Sequence, residues 1–194
     1  MKSHSPLARG FTLIELMVSI ALVAILMMVA VPSLTTFQRN AELTSLSNTL
    51  LASINGARGE AMKRGRDAVV VPLDGLSWNT GLIVFVDVNN NRTYESSTDI
   101  LIHKNETPIP SYLTITPTGS PNASSPYIRF DAQGYPKPVS PDVRNFTFSL
   151  ARNDVTGSEV FRQTRHLKVA ITGRVRICTP TSSTDSNCNS SSTF

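Results

Sequence analysis

Little in this 194-residue chain belongs to the usual inventory of catalysis. Its three histidines, His4, His103 and His166, stand far apart. No nucleophile elbow, phosphate-binding glycine loop or HExxH pairing occurs. The two cysteines, Cys178 and Cys188, have nine residues between them and form no CxxC motif, so no His/Cys ligand set points to a metal. These scarcities argue against an enzyme and imply neither cofactor nor metal. Aromatic side chains do not alternate with basic ones, which argues against base stacking on a nucleic acid. No internal repeat is present. The most telling scarcity is charge between Phe11 and Val31, where 21 residues carry only Glu15.

A run of that length can cross a bilayer as a helix. A carboxylate inside it costs about 2.5–3.5 kcal/mol on insertion scales, so Glu15 needs a partner and a reason. Ahead of the run lies a short basic leader, residues 1–10, with Lys2 and Arg9. A secretory signal places its small-residue cut site after the apolar region. Here the small residue, Gly10, comes first, so the apolar helix is expected to be kept. The basic leader stays inside by the positive-inside rule, which sends the rest of the chain outward. Outside the cytoplasm a disulfide is permitted, and Cys178–Cys188 is the simplest pairing.

After the apolar run the pattern stays helical. Pro32 predicts a bend and not a stop, because Leu43, Leu46, Leu50, Ile54, Ala57 and Ala61 then recur at helical spacing. Lys63 and Arg64 suit the negative end of a helix, and Gly65 suits its carboxy-terminal cap. Beyond Gly65, short runs rich in Val, Ile, Thr and Phe predict strands at 68–73, 81–87, 100–103, 112–116, 127–130, 146–150, 167–172 and 175–178. Prolines punctuate the connections. The expected organisation is a leader (1–10), an apolar half-helix (11–31), an amphipathic half-helix (32–65), a β-rich domain (66–178) and a mobile Ser/Thr-rich tail (179–194). The formal charge is +4. Nine basic residues crowd into one stretch: Arg129, Lys137, Arg144, Arg152, Arg162, Arg165, Lys168, Arg174 and Arg176. Only Asp131, Asp142, Asp154 and Glu159 oppose them there, which suits an anionic partner.

Gly10-Phe11-Thr12-Leu13-Ile14-Glu15 resembles the prepilin signal of type IV pilins and type II secretion pseudopilins. Ala57-Arg58-Gly59-Glu60-Ala61-Met62-Lys63-Arg64-Gly65, Trp78 followed by Gly81–Asp87, and Gly173–Cys178 resemble the GspH/FimT family of minor pilins and pseudopilins. The resemblance covers residues 6–178 in order. Two departures are Gly59, where a serine is common, and Arg92, where a glycine is common. The second argues against a required glycine conformation in the turn after Asp87.

The resemblance implies an α+β pilin fold, a long kinked amino-terminal helix packed on an antiparallel β-rich domain. It implies cleavage by prepilin peptidase between Gly10 and Phe11 and methylation of Phe11. Glu15 would neutralise the Phe11 amine of a neighbouring subunit, since two opposite buried charges remove each other's desolvation penalty. Partners would be other major and minor pilins. The location would be the bacterial inner membrane, single-pass with a periplasmic domain, and then the pilus at the cell surface.

Gly173-Arg174-Val175-Arg176 is a short motif on a predicted strand. Alternate residues share a face, so Arg174 and Arg176 would stand about 6.6 Å apart with Val175 and Ile177 facing the core. Guanidiniums at that spacing match neighbouring phosphates, and Gly173 lets the backbone turn. In FimT-like minor pilins such a motif is associated with DNA binding in natural transformation. Arg162, Arg165 and Lys168 extend the candidate patch. Binding would be to double-stranded DNA, backbone-led and sequence-tolerant. The alternative is a structural role, as a minor pilin priming assembly or a pseudopilin of a type II secretion system, with both arginines on a solvated strand face. Asp87-Val88-Asn89-Asn90-Asn91 reads as a β-turn, with a calcium loop as the other possibility.

Overall fold

A computed structural model describes residues 10–119, 121, 124–137 and 145–191, excepting the side chain of Val29. The leader cations Lys2 and Arg9, Asp142, Arg144 and the last three residues lie outside the described residues. The chain divides into two compact units, Met1–Ala41 and Glu42–Phe194. Helix α1 (Leu13–Arg64) belongs to both.

In the first unit α1 runs on through Pro32 without a break. Thr35 Oγ1 donates to the Pro32 carbonyl at 2.9 Å, satisfying an acceptor in the disturbed turn. The described large apolar side chains from Phe11 to Phe37 are exposed. By length and composition this part of the helix is apolar enough to cross a membrane.

In the second unit α1 buries the predicted stripe. Leu43, Ile54, Ala57 and Ala61 are fully enclosed, Leu50 nearly so, and Leu46 packs against them. The helix ends where the sequence predicts. Gly65 is left-handed at φ 63°, and Arg66 N–H bonds to the Ala61 carbonyl at 3.2 Å, a Schellman closure that glycine permits without a Cβ clash.

Two antiparallel sheets complete the unit. The first runs β3 (Ile100–Asn105), β2 (Leu82–Val86), β1 (Ala68–Pro72), β5 (Ile128–Phe130). The second runs β4 (Leu113–Thr118), β6 (Phe146–Arg152), β7 (Thr164–Val169), β8 (Val175–Cys178), with a short helix α2 (Glu159–Arg162) before β7. Strands β1 and β2 are covered on both faces. Val70, Val84 and Val86 join the α1 core, while Val69, Ile83, Phe85 and Tyr127 form a second cluster behind the sheet. That double burial explains their unbroken apolar runs.

In the second sheet Phe146, Phe148, Leu150, Leu167 and Val169 face the core, and Val175 and Ile177 pack against it as expected. All eight predicted strands are present. β7 starts at Thr164, earlier than the sequence suggests, and stops at Val169, leaving Ala170–Gly173 to turn.

The stretch after Cys178, expected as a mobile tail, is tied to the outer face of this sheet. Thr118 Oγ1 donates to the Ser190 carbonyl at 3.4 Å, Thr147 Oγ1 to the Ser191 carbonyl at 3.0 Å, and Lys168 Nζ to Asn189 Oδ1 at 3.2 Å. Cys178 and Cys188 are joined by a disulfide.

The turn after Asp87 corrects one expectation. Arg92 sits at φ 63° and Asn90 at φ 61°, so the position does take the glycine conformation. A non-glycine residue there costs on the order of 1–2 kcal/mol. Arg92 recovers part of this through its two contacts. Its N–H bonds to Asp87 Oδ2 at 2.9 Å, and its guanidinium lies 4.9 Å from the centre of the Tyr127 ring, a cation–π contact. The loop's oxygens are already engaged. Asp87 accepts from the Asn91 and Arg92 amides, Asp99 from those of Val88 and Glu95, and Glu95 from the side chains of Asn89 and Asn91.

Candidate nucleic-acid interface and assembly determinants

At the start of α1, Thr12 and Glu15 form a capping box. The Thr12 N–H and hydroxyl donate to Glu15 Oε2 at 3.1 and 2.9 Å, and the Glu15 N–H donates to Thr12 Oγ1 at 3.3 Å. The Thr-x-x-Glu spacing was readable in the sequence as a helix start. It folds the carboxylate back toward the residue 11 end of the helix, where a cation would have to meet it. Ser19 Oγ donates to the Glu15 carbonyl at 2.7 Å.

The second site lies on the β7–β8 hairpin. The register pairs Lys168 with Arg176 and Val169 with Val175. Arg176 and Lys168 therefore face each other on the outer side of the sheet, opposite the core-facing valines. Two like charges across a strand pair repel, and the tail answers both. Arg176 Nη2 donates to the Asn187 carbonyl at 2.9 Å, and Lys168, fully buried, reaches Asn189. Burial, then the Arg176 guanidinium, push the Lys168 pKa down, and Asp185 partly opposes them.

Asp185 organises the loop between the cysteines. It accepts from the Thr181 N–H and hydroxyl and from the Asn187 and Cys188 N–H groups at 2.9–3.1 Å. The Thr181 backbone donor leads those that hold its pKa at about 2.

The remaining basic residues divide sharply. Arg129 pairs with Asp67, Lys137 with Asp131 and Arg152 with Asp154, so these three are neutralised locally. Arg165 is half-buried and donates to the Arg162 and Thr164 carbonyls at 2.7 and 2.9 Å, and burial lowers its pKa. Arg174 and Arg162 are exposed, and their side chains carry no hydrogen bond or ion pair among the described residues. Of the five cations proposed from sequence on α2, β7, the hairpin tip and β8, two are open to a ligand and three are engaged by the protein itself.

The hairpin tip turns at Gly173, as the sequence suggested, and is met by Arg58 and Gly134, to which the sequence assigned no role here. Gly173 has φ 77°; its N–H bonds to the Ala170 carbonyl at 2.8 Å, and Ala170 N–H to the Arg174 carbonyl at 2.9 Å. This is a three-residue connection with glycine at the left-handed position. Arg58 of α1 meets it, with Nε donating to the Gly134 carbonyl at 2.9 Å and Nη2 to the Thr172 carbonyl at 3.4 Å. Those partners lie 76 and 114 residues away in sequence, so no local pattern could announce them.

An apolar helix with Glu15 in its first turn, continuing as the packing helix of a two-sheet antiparallel domain, is the architecture of a type IV pilin or pseudopilin. Residues 46–174 match the family described as type II transport protein GspH, and residues 6–31 match the prokaryotic N-terminal methylation motif. The chain belongs to the GspH family. Two crystal structures of the type IV minor pilin FimU from Pseudomonas aeruginosa share the fold. One aligns with a TM-score of 0.55 at 21% identity, covering 73% of this chain and 92% of that one. The other gives 0.51 at 20% identity, covering 70% and 91%. A comparison with curated proteins found no match. The family match ends at Arg174, so Arg176 and the disulfide loop lie beyond it.

Proposed function

We propose that this protein is a minor pilin that binds DNA through the tip of its β7–β8 hairpin during natural transformation. Prepilin peptidase cuts between Gly10 and Phe11, and the new terminus is methylated. The chain then sits in the inner membrane by a single span with its domain in the periplasm. It joins other pilins in a pilus at the cell surface, with Glu15 meeting the amine of a neighbouring Phe11. The role is structural and ligand-binding, not catalytic.

The observation that carries the DNA reading is Arg174. It is exposed at the tip of a hairpin, without an acidic partner among the described residues, two positions before Arg176, which pairs with Lys168. A guanidinium so placed suits a phosphate oxygen, and the basic residues behind it add long-range attraction. One observation favours the purely structural alternative. Arg176 and Lys168 are occupied by Asn187 and Asn189, which makes them anchors of the disulfide loop.

Full-length protein in detergent, titrated into a labelled duplex at several salt concentrations, separates the two. The DNA reading expects Arg174→Gln to lower affinity about tenfold and to reduce the slope of log K against log salt by about one phosphate contact. Arg176→Gln should act mainly on stability. Equal binding by wild type and Arg174→Gln removes the site. Absence of any retardation at low salt leaves the structural pilin or secretion pseudopilin.

A further inference from the structure

Gly173 meets two demands at once. Its φ of 77° is left-handed, which the turn requires and other residues resist. Its missing side chain also leaves room for a crossing. A Cβ there would fall 2.3 Å from the Gly134 carbonyl oxygen and 2.7 Å from Arg58 Nε. Gly134, at φ 79°, stands on the other side of the same crossing, where a Cβ would fall 2.7 Å from Met62 Sδ and 3.2 Å from Arg58 Nε. Two glycines thus frame one guanidinium. The guanidinium joins three parts of the unit: α1, the turn between β5 and β6, and the β7–β8 tip.

We propose that Arg58 is the positioning residue of the DNA-contacting hairpin, clamping the Thr172–Arg174 tip against the Gly134 turn so that Arg174 is presented in one orientation. This rests on the reading that Arg174 contacts DNA. Apart from its own turn bonds and Arg58, the tip has one further hydrogen bond among the described residues, Ile171 N–H to Asn145 Oδ1 at 2.9 Å. Without the clamp a phosphate would have to order the tip as it binds, which weakens affinity. The planar fork of arginine reaches the Gly134 and Thr172 carbonyls together, which the single ammonium of lysine does not reproduce.

The test uses full-length protein in detergent and a labelled duplex, with Arg58→Lys, Gly173→Ala and Arg174→Gln. Arg58→Lys keeps the charge and removes the fork. It is expected to lower affinity about tenfold at fixed salt and to leave the salt slope unchanged. Amide exchange should quicken at Thr172–Arg174 and stay slow in β6. Gly173→Ala, which pushes a methyl into the clamp from the other side, should do the same. If Arg58→Lys does not fold, Gly173→Ala decides alone. Combining Arg58→Lys with Arg174→Gln should cost no more than Arg174→Gln. Wild-type affinity in Arg58→Lys, with affinity lost in Arg174→Gln, overturns the clamp and leaves the DNA site standing. A reduced salt slope in Arg58→Lys also overturns it, because Arg58 would then be a phosphate contact. Unchanged affinity in Arg174→Gln removes the DNA site and the clamp's purpose together.

Discussion

His166 shows how a single side chain can carry the cost of a covered face. It is buried on the outer side of β7 beside Lys168, with Nδ1 2.9 Å from Ser149 Oγ and with Asp185 in the loop above. Burial, then the Lys168 ammonium, hold its pKa below the usual 6.5, and Asp185 only partly opposes them. The unfolded chain therefore takes up the proton first. The contribution of His166 to stability is fully present above about pH 6.5 and is lost as pH falls below it, at no more than about 1.4 kcal/mol per pH unit. Asp74, Asp131 and Asp185 have depressed pKa values from a usual 3.8, so they titrate lower and leave the window from pH 6.5 to 5 to His166. The melting midpoint of the full chain in detergent should fall across that window, and His166→Gln should flatten the fall. A variant that tracks the wild type through the window would show that His166 is not the group responsible.

At the scale of elements, the apolar pattern carried most of the fold. The stripe from Leu43 to Ala61, the Gly65 cap and, with β7 shifted by three residues, all eight strands follow from periodicity and turn residues. The start of β7 did not show, because Thr164, His166 and Lys168 are polar residues that become buried only when the disulfide loop covers them. The loop looked like a tail for the same reason, since Ser, Thr and Asn carry no core signal. Its order comes from hydrogen bonds to Asp185, Arg176 and Lys168, which composition does not encode. Of the candidate site, Arg174 and the inward Val175 and Ile177 follow from strand alternation, whereas the engagement of Arg176 depends on Asn187 across the disulfide. Cys178→Ser with Cys188→Ser should lower stability by about 3 kcal/mol for a loop of this length, a drop near 10 °C in the melting midpoint. Amides from Thr181 to Ser191 should exchange freely while those of β6 stay protected. An unchanged midpoint on reduction would mean that the Asp185 hydrogen bonds hold the loop without the bridge.

For the whole molecule, the division at Ala41 separates a unit without a core from one with its own. The second unit encloses its own core, whereas the first exposes Phe11, Leu26 and Phe37 at 82%, 68% and 70%. A continuous apolar surface of this kind needs lipid or protein around it. Glu15 is the one charge among the apolar residues from Phe11 to Val31, and its carboxylate already serves Thr12 as a cap. A cap alone would not demand a carboxylate in a lipid-facing helix, because removing one favours insertion by about 2.5–3.5 kcal/mol. Glu15→Leu should therefore reach the membrane fraction at wild-type level or above, and it should disappear from pili sheared off the cell. Thr12→Val, which weakens the cap and keeps the charge, should still enter the filament. The contrast isolates charge pairing between subunits from helix capping within one. If Glu15→Leu is recovered in sheared pili as abundantly as the wild type, the carboxylate has no role in assembly and remains only a helix cap.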